Sequence, residues 1–256
     1  SLMISPEFPI FGAFYSGTSY NFVISGKVNA SGGTGEILCV EKYSKDEIPK
    51  ENQIGVVNGL AWTQVGGTML PIEISALDGT GKIELTGNLG DVMKESAKTA
   101  VSYVRSRTKE YGIESDFYKT KDIHIHAPEA AIPKDGPSAG LAITTALVSE
   151  LTGVPIKRNV AMTGEISLKG KALPIGGLKE KSMAAYKAGC DTVIIPKDNF
   201  KDLSEICDEV KTAVRFIPVS SFDEVMIQAL EYIPKKDKKQ NIIIKSDDTV
   251  SSAVTQ

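Results

Sequence analysis

A chain of 256 residues with 41% hydrophobic and 24% charged residues can bury a substantial core and falls in the ordinary range for a globular protein of one or two domains. A formal net charge of −3 argues against a nucleic-acid footprint or an anionic-membrane partner as the main function. Cys39, Cys190 and Cys207 are odd in number and lack metal-ligand spacing, no apolar run reaches the length of a membrane span, and no signal peptide is evident, so the expectation is a soluble protein of a reducing, cytoplasmic compartment.

Residues 1–37 stand apart, rich in Gly, Ser, aromatics and Pro, and predict short extended pieces at best, with part of the segment expected to come from an expression leader. Beyond it, 56–62, 69–76 and 82–86 have the β-branched content and turn punctuation of three consecutive strands. Residues 90–112 read as one long helix with Val92, Met93, Ala97, Ala100, Val101 and Val104 on its apolar face. A strand over 122–127 is followed by an apolar helix over 137–152, opened by Asp135 as N-cap and Pro137 in the first turn. Then come 161–163, a Gly-punctuated hairpin, a helix over 178–188, strands at 192–195 and 214–217, and a last helix over roughly 222–232. Strands first, then strand and helix in alternation, predict a mixed α+β domain over 38–234. Residues 235–256, opening with Lys235-Lys236-Asp237-Lys238-Lys239, read as a polar tail.

Within this pattern, Gly136-Pro137-Ser138-Ala139-Gly140 fits the G-x-S-x-G form of a hydrolase nucleophile elbow. As a structural residue Ser138 would be a helix-start choice, but Asp135 fills the capping role better. Glycines on both sides make a tight turn in which backbone amides can approach a ligand, and a helix N-terminus suits an oxyanion. Pro137 has no N–H, so the donors must come from neighbours such as Ser138 and Ala139.

An elbow serine needs a base, and the two histidines, His124 and His126, both precede it. With Asp122 they alternate on a predicted strand and share one face, which leaves open a polar strand surface, or a triad in another chain order within an esterase-like Ser-His hydrolase. No third ligand completes a metal site. The other base is a lysine made neutral by burial. On the helix from Leu178, a rotation of 100° per residue places Lys181 among Leu178, Ala185 and Ala188, Lys187 on the opposite side, and Lys179 at the boundary. The segment Gly164 to Ala172 approaches a P-loop but has one spacer too many and ends without the Mg²⁺-binding hydroxyl, so no nucleotide or metal cofactor is expected in this chain.

These residues resemble the proteolytic domain of Lon, the ATP-dependent protease La, of the soluble bacterial and mitochondrial type. The resemblance is carried by Pro133-Lys134-Asp135-Gly136-Pro137-Ser138-Ala139-Gly140 and Gly176-Gly177-Leu178-Lys179-Glu180-Lys181, with Gly59 to Thr63, Gly66-Gly67, Met162 to Leu168 and Leu173 to Gly177, and covers 54–232 almost continuously. It implies an α+β fold of mixed sheets packed by helices, and a serine endopeptidase with Ser138 as nucleophile and Lys181 as general base. Thr163 then bonds the lysine amine, and Asp135 contacts the site or obstructs it in inactive states. Glu73, His124 and His126 match further polar positions of the family. The resemblance also implies unfolded or damaged protein substrates, a hexameric ring, and a cytoplasmic or, in a eukaryote, mitochondrial-matrix location. ATP and magnesium belong to the family's ATPase module, which has no counterpart here, and residues 1–37 match nothing in the family. A non-catalytic oligomerisation or peptide-holding module is the other alternative.

Overall fold

The computed structural model describes residues 48–234 apart from 64–65 and 129–133, and the backbone of four short strands between residues 14 and 35. The chain divides into two units, Ser1–Ser44 and Lys45–Gln256. The first contains two antiparallel hairpins, β1 (Phe14–Ser16) with β2 (Ser19–Asn21) and β3 (Val28–Ala30) with β4 (Gly33–Gly35). The polar tail expected at 235–256 lies outside the described residues.

The second unit is built on a seven-stranded mixed sheet. Its strands are β5 (Val56–Thr63), β6 (Gly66–Asp78), β7 (Ile83–Thr86), β8 (Lys121–His126), β9 (Val160–Met162), β12 (Thr192–Pro196) and β13 (Arg215–Val219). The order is β13-β12-β9-β5-β6-β8-β7. The β13 to β5 half is parallel, β6 runs antiparallel to both β5 and β8, and β7 is parallel to β8. A separate hairpin, β10 (Glu165–Ile166) with β11 (Ala172–Leu173), follows β9.

Helices cover both faces of the sheet, as parallel strands require. One core layer joins Ile72, Ile74, Ile123 and Ile125 to Ala97, Ala100 and Val104 of α1 (Asp91–Ser106), to Leu141, Ile143 and Leu147 of α4 (Gly140–Thr152), and to Phe222 and Val225 of α7 (Phe222–Ala229). On the other face Leu60, Ala161, Val193 and Ile195 meet Leu178 and Ala185 of α5 (Leu178–Ala188) and Val210 of α6 (Asp208–Ala213). Between α1 and β8 lie the short α2 (Thr108–Tyr111) and α3 (Phe117–Thr120).

The expected long helix is interrupted at Arg107, whose φ of −116° leaves the helical region, and Val92 is 43% exposed while the rest of the expected face is buried. The helix expected at 137–152 begins as a 3-10 turn, Pro137–Ala139, before α4. Asp135 does not cap it: Gly136, at φ 127°, is the residue before the turn, and no side chain caps either segment. Helix α4 is buried over almost its whole circumference, so its polar residues bond back to its own main chain, Thr144 Oγ1 to Gly140 O at 2.7 Å and Thr145 Oγ1 to Leu141 O at 2.8 Å.

Candidate active site

Ser138 is the middle residue of the 3-10 turn that launches α4. The segment leaving β9 grips this turn: Gly164 N–H donates to Ser138 O at 2.8 Å, the Thr163 hydroxyl donates to the same oxygen at 3.4 Å, and Leu141 N–H donates to Gly164 O at 2.9 Å. The close approach depends on Gly164, since a Cβ there would stand 2.3 Å from Leu141 Cδ1. Ser96 of α1 holds the turn from the other side, its hydroxyl donating to Pro137 O at 3.4 Å.

Lys181 comes from α5. The helix enters through Gly177, at φ +69°, and buries the small residues Ser182, Ala184, Ala185 and Ala188 together with Lys181. The lysine is 3% exposed, whereas Lys179 and Lys187 are exposed, as the helical rotation predicts. Its Nζ donates to Thr163 Oγ1 at 3.2 Å, and Thr163 is fully buried. Burial pulls the Lys181 ammonium down from the usual 10.5 to about 8.

Ser138 and Lys181 open on one cleft of about 790 Å³, lined also by Asp135, Trp62, Met69, Met93 and the loop 174–177. On its β6 border, Thr68, Met69 and Leu70 belong to a stretch that, among the described residues, pairs with β5 alone, because β8 joins the ladder no earlier than Glu73.

Asp135 Oδ1 accepts from Met93 N–H at 3.0 Å and from Gly136 N–H at 2.9 Å. It therefore caps α1, the neighbouring helix, and ties it to the residue two before Ser138. Gly90 makes room, since a Cβ there would lie 2.3 Å from the Asp135 carboxyl carbon. Ala139 is buried at 2% exposure.

The histidines sit elsewhere. Thr86 Oγ1 contacts His124 Nε2 at 2.8 Å and His126 Nδ1 at 2.7 Å, so one hydroxyl joins both rings. Glu73 is the cross-strand neighbour of His126, and none of the three lines the cleft. Asp122, the third member of the triad considered above, accepts from Thr80 and Lys82 N–H in the turn before β7. Among the described residues no cluster of three or more His, Cys, Asp or Glu could hold a metal, and no helix is long and apolar enough to cross a membrane.

Trp62, which the sequence places on a strand and in the matching segment Gly59 to Thr63 without a role at the site, is 56% exposed at the cleft. It shares its strand face with Val56, Asn58 and the core residue Leu60, so alternation predicts burial and gives no signal of its exposure.

Residues 31–232 match the Lon protease (S16) C-terminal proteolytic domain, so the match begins inside the segment 1–37, expected from the sequence to have no counterpart in the family. The chain is 59% identical over 203 residues to a Lon protease of Brevibacillus choshinensis, covering 79% of this chain and 26% of that protein. It is 53% identical over 204 residues to one of Chloroflexus aggregans, covering 80% and 25%, and 56% identical over 199 residues to one of Vibrio parahaemolyticus, covering 78% and 25%. The chain thus spans about a quarter of the length of the curated relatives it matches.

Proposed function

Since this chain belongs to the Lon protease family and carries its serine-peptidase domain, we propose that Ser138 and Lys181 form a Ser-Lys dyad that hydrolyses peptide bonds. The observation that carries this reading is a lysine 3% exposed, hydrogen-bonded to a buried threonine, on the same cleft as a serine at a helix start. Only a neutral amine can accept a proton, and burial, with no carboxylate partner among the described residues, brings Lys181 down to about 8, so that a fraction of it is neutral near physiological pH.

The steps use side chains and amides of this chain. Neutral Lys181 takes the proton from Ser138 Oγ as the oxygen attacks the substrate carbonyl. The oxyanion is held by main-chain amides of the turn, those of Ser138 and Ala139, which stand at a helix N-terminus where amides lack acceptors one turn back. The Lys181 ammonium then gives its proton to the departing amine. A water, deprotonated by Lys181, hydrolyses the Ser138 ester and restores the enzyme. The border of β6 at 66–72, which among the described residues pairs with β5 alone, serves an extended peptide as a strand to pair with, beside the nucleophile.

Unstructured chains suit such a cleft, because strand pairing needs an extended backbone. The relatives are named as Lon proteases, which supports unfolded or damaged proteins as substrates and assembly into a hexameric ring; ATP and magnesium serve the ATPase module. Cys190 and Cys207, both free thiols, support a reducing, cytoplasmic compartment.

The test is hydrolysis of a fluorogenic peptide by Ser138→Ala, Lys181→Ala and His126→Ala, each shown to be folded by circular dichroism. The first two should fall to background and the third should retain most activity. An active Lys181→Ala beside an inactive His126→Ala would replace the dyad by a histidine mechanism.

A further inference from the structure

Asn199 is a fully buried polar residue committed to the wall of the same cleft. It is the third residue of the 3-10 segment Lys197–Glu205 and is 1% exposed. Its Oδ1 accepts from Ile175 N–H at 3.0 Å, and its Nδ2 donates to Ile175 O at 2.8 Å and to Asp202 Oδ2 at 2.7 Å. One side-chain amide therefore satisfies both main-chain groups of a single residue, as a neighbouring strand would. Asp202 fixes the sense of the amide. A carboxylate only accepts, so the Asn199 nitrogen must face it, which leaves the oxygen for the Ile175 N–H.

Ile175 lies in the loop 174–177 between β11 and α5, and Pro174, Ile175, Gly176 and Gly177 line the cleft with Ser138 and Lys181. This loop has little to hold its shape internally. Two of its four residues are glycines, Gly177 is at φ +69°, and a Cβ on Gly176 would meet nothing within 4 Å. The loop also leads into the catalytic helix, because Gly177 O accepts from Lys181 N–H at 3.0 Å.

We propose that Asn199 is a positioning residue of the peptidase site, clamping Ile175 so that the loop 174–177 presents a fixed wall to the substrate. The proposal rests on the Ser138–Lys181 cleft being the peptide site. Asn199 itself does not reach the reacting atoms; its effect passes through the loop. A loosened wall weakens the seating of the peptide before it alters the proton transfer, which depends on Thr163 and Lys181.

The experiment compares wild type, Asn199→Ala and Asn199→Asp in peptide hydrolysis, with rates normalised to native protein by circular dichroism. Asn199→Asp keeps the shape of the side chain and an acceptor for Ile175 N–H but loses both N–H donors. Both variants should raise KM about tenfold while kcat stays within about threefold of wild type. Hydrogen exchange adds a readout that needs no variant: the Ile175 amide should be protected in wild type, and in Asn199→Ala it should exchange rapidly while the amides of α5 keep their protection. Unchanged KM in both folded variants, or a fall in kcat alone, would overturn the proposal. An Ile175 amide exchanging in wild type like an open-loop amide would also overturn it, and that result decides the matter if neither variant folds. Failure of the cleft assignment looks different, namely hydrolysis that survives Ser138→Ala while the Ile175 amide stays protected.

Discussion

Thr163 stands between Lys181 and the main chain of Ser138, accepting from Lys181 Nζ at 3.2 Å and donating to Ser138 O at 3.4 Å. The helix that carries Lys181 and the turn that carries Ser138 are thus joined through one buried hydroxyl rather than held by two unrelated packings. Thr163 is fully buried, and valine matches its shape without the hydroxyl. Thr163→Val should leave the fold intact and lower peptide hydrolysis by roughly 5- to 30-fold, the equivalent of about 1–2 kcal/mol for a hydrogen bond to an amine that is charged in part of the cycle. Thr163→Ser, which keeps the hydroxyl, should lose less. Steady-state kinetics of both variants check this, and wild-type rates in Thr163→Val would remove the threonine from the site.

The buried lysine also makes activity and stability respond to pH in defined directions. Its folded value of about 8 lies below the unfolded 10.5, so the neutral, active form gains as pH rises, and kcat/KM should climb between about pH 7 and 9 and then level. For stability, the unfolded chain holds the proton more tightly between those two values, so folding gains with rising pH across that window and carries the full burial cost below it. That cost is about 3 kcal/mol from the difference between the two values, for a side chain only 3% exposed. Lys181→Met should accordingly be inactive yet more stable than wild type at pH 7, with the gap shrinking toward pH 10.5. Denaturant titrations at both pH values measure it; a Lys181→Met protein no more stable than wild type at pH 7 would contradict the burial cost.

Lys181 was legible in the sequence because helical rotation is a local property: the small residues Ala185 and Ala188 and the entry at Gly177 mark one face, and that face is the buried one. The turn at Ser138 was legible for the same reason. Asp135 was not, because an N-cap signal shows that a helix end is near without saying which helix, and here α1 arrives from more than forty residues earlier in the chain to take it. The histidine pair shared one face as alternation requires, but its partner Thr86 comes from β7, a pairing set by sheet topology. The role of Asn199 was invisible for a related reason: its two partners on Ile175 are main-chain groups that leave no trace in side-chain pattern.

The close approach of β6 to α5 depends on Gly67. A Cβ there would stand 2.0 Å from Glu180 O and 2.9 Å from Lys181 N, both main-chain atoms that cannot rotate away. Gly67→Ala must push α5 outward or bend β6, at a cost of about 1–3 kcal/mol. Because the displaced turn is the one that carries Lys181, peptidase activity should fall further than the loss of folded protein explains. Thermal melts and rates measured well below the melting temperature separate the two effects, and full activity in a destabilised but folded Gly67→Ala would show that α5 tolerates the shift.

Asp135 offers a test of what the motif aspartate does in this arrangement. It lines the cleft, yet its Oδ1 is already used by Met93 N–H and Gly136 N–H, which ties the start of α1 to the turn before Ser138. If capping is its contribution, an acceptor oxygen is what matters, and the negative charge adds only its interaction with the helix dipole. Asp135→Asn keeps such an oxygen and should melt close to wild type with peptidase activity within about threefold. Asp135→Ala leaves both amides without that partner and should lose about 1 kcal/mol of stability. Its activity should also fall further, because the residue before Pro137 is freed while Gly136 already sits at φ 127°, where only glycine is at ease. The ratio of the two variants carries the information. Asp135→Asn as inactive as Asp135→Ala, with a wild-type melting temperature, would mean that the carboxylate acts on the substrate or on Ser138 and that the cap is incidental to catalysis.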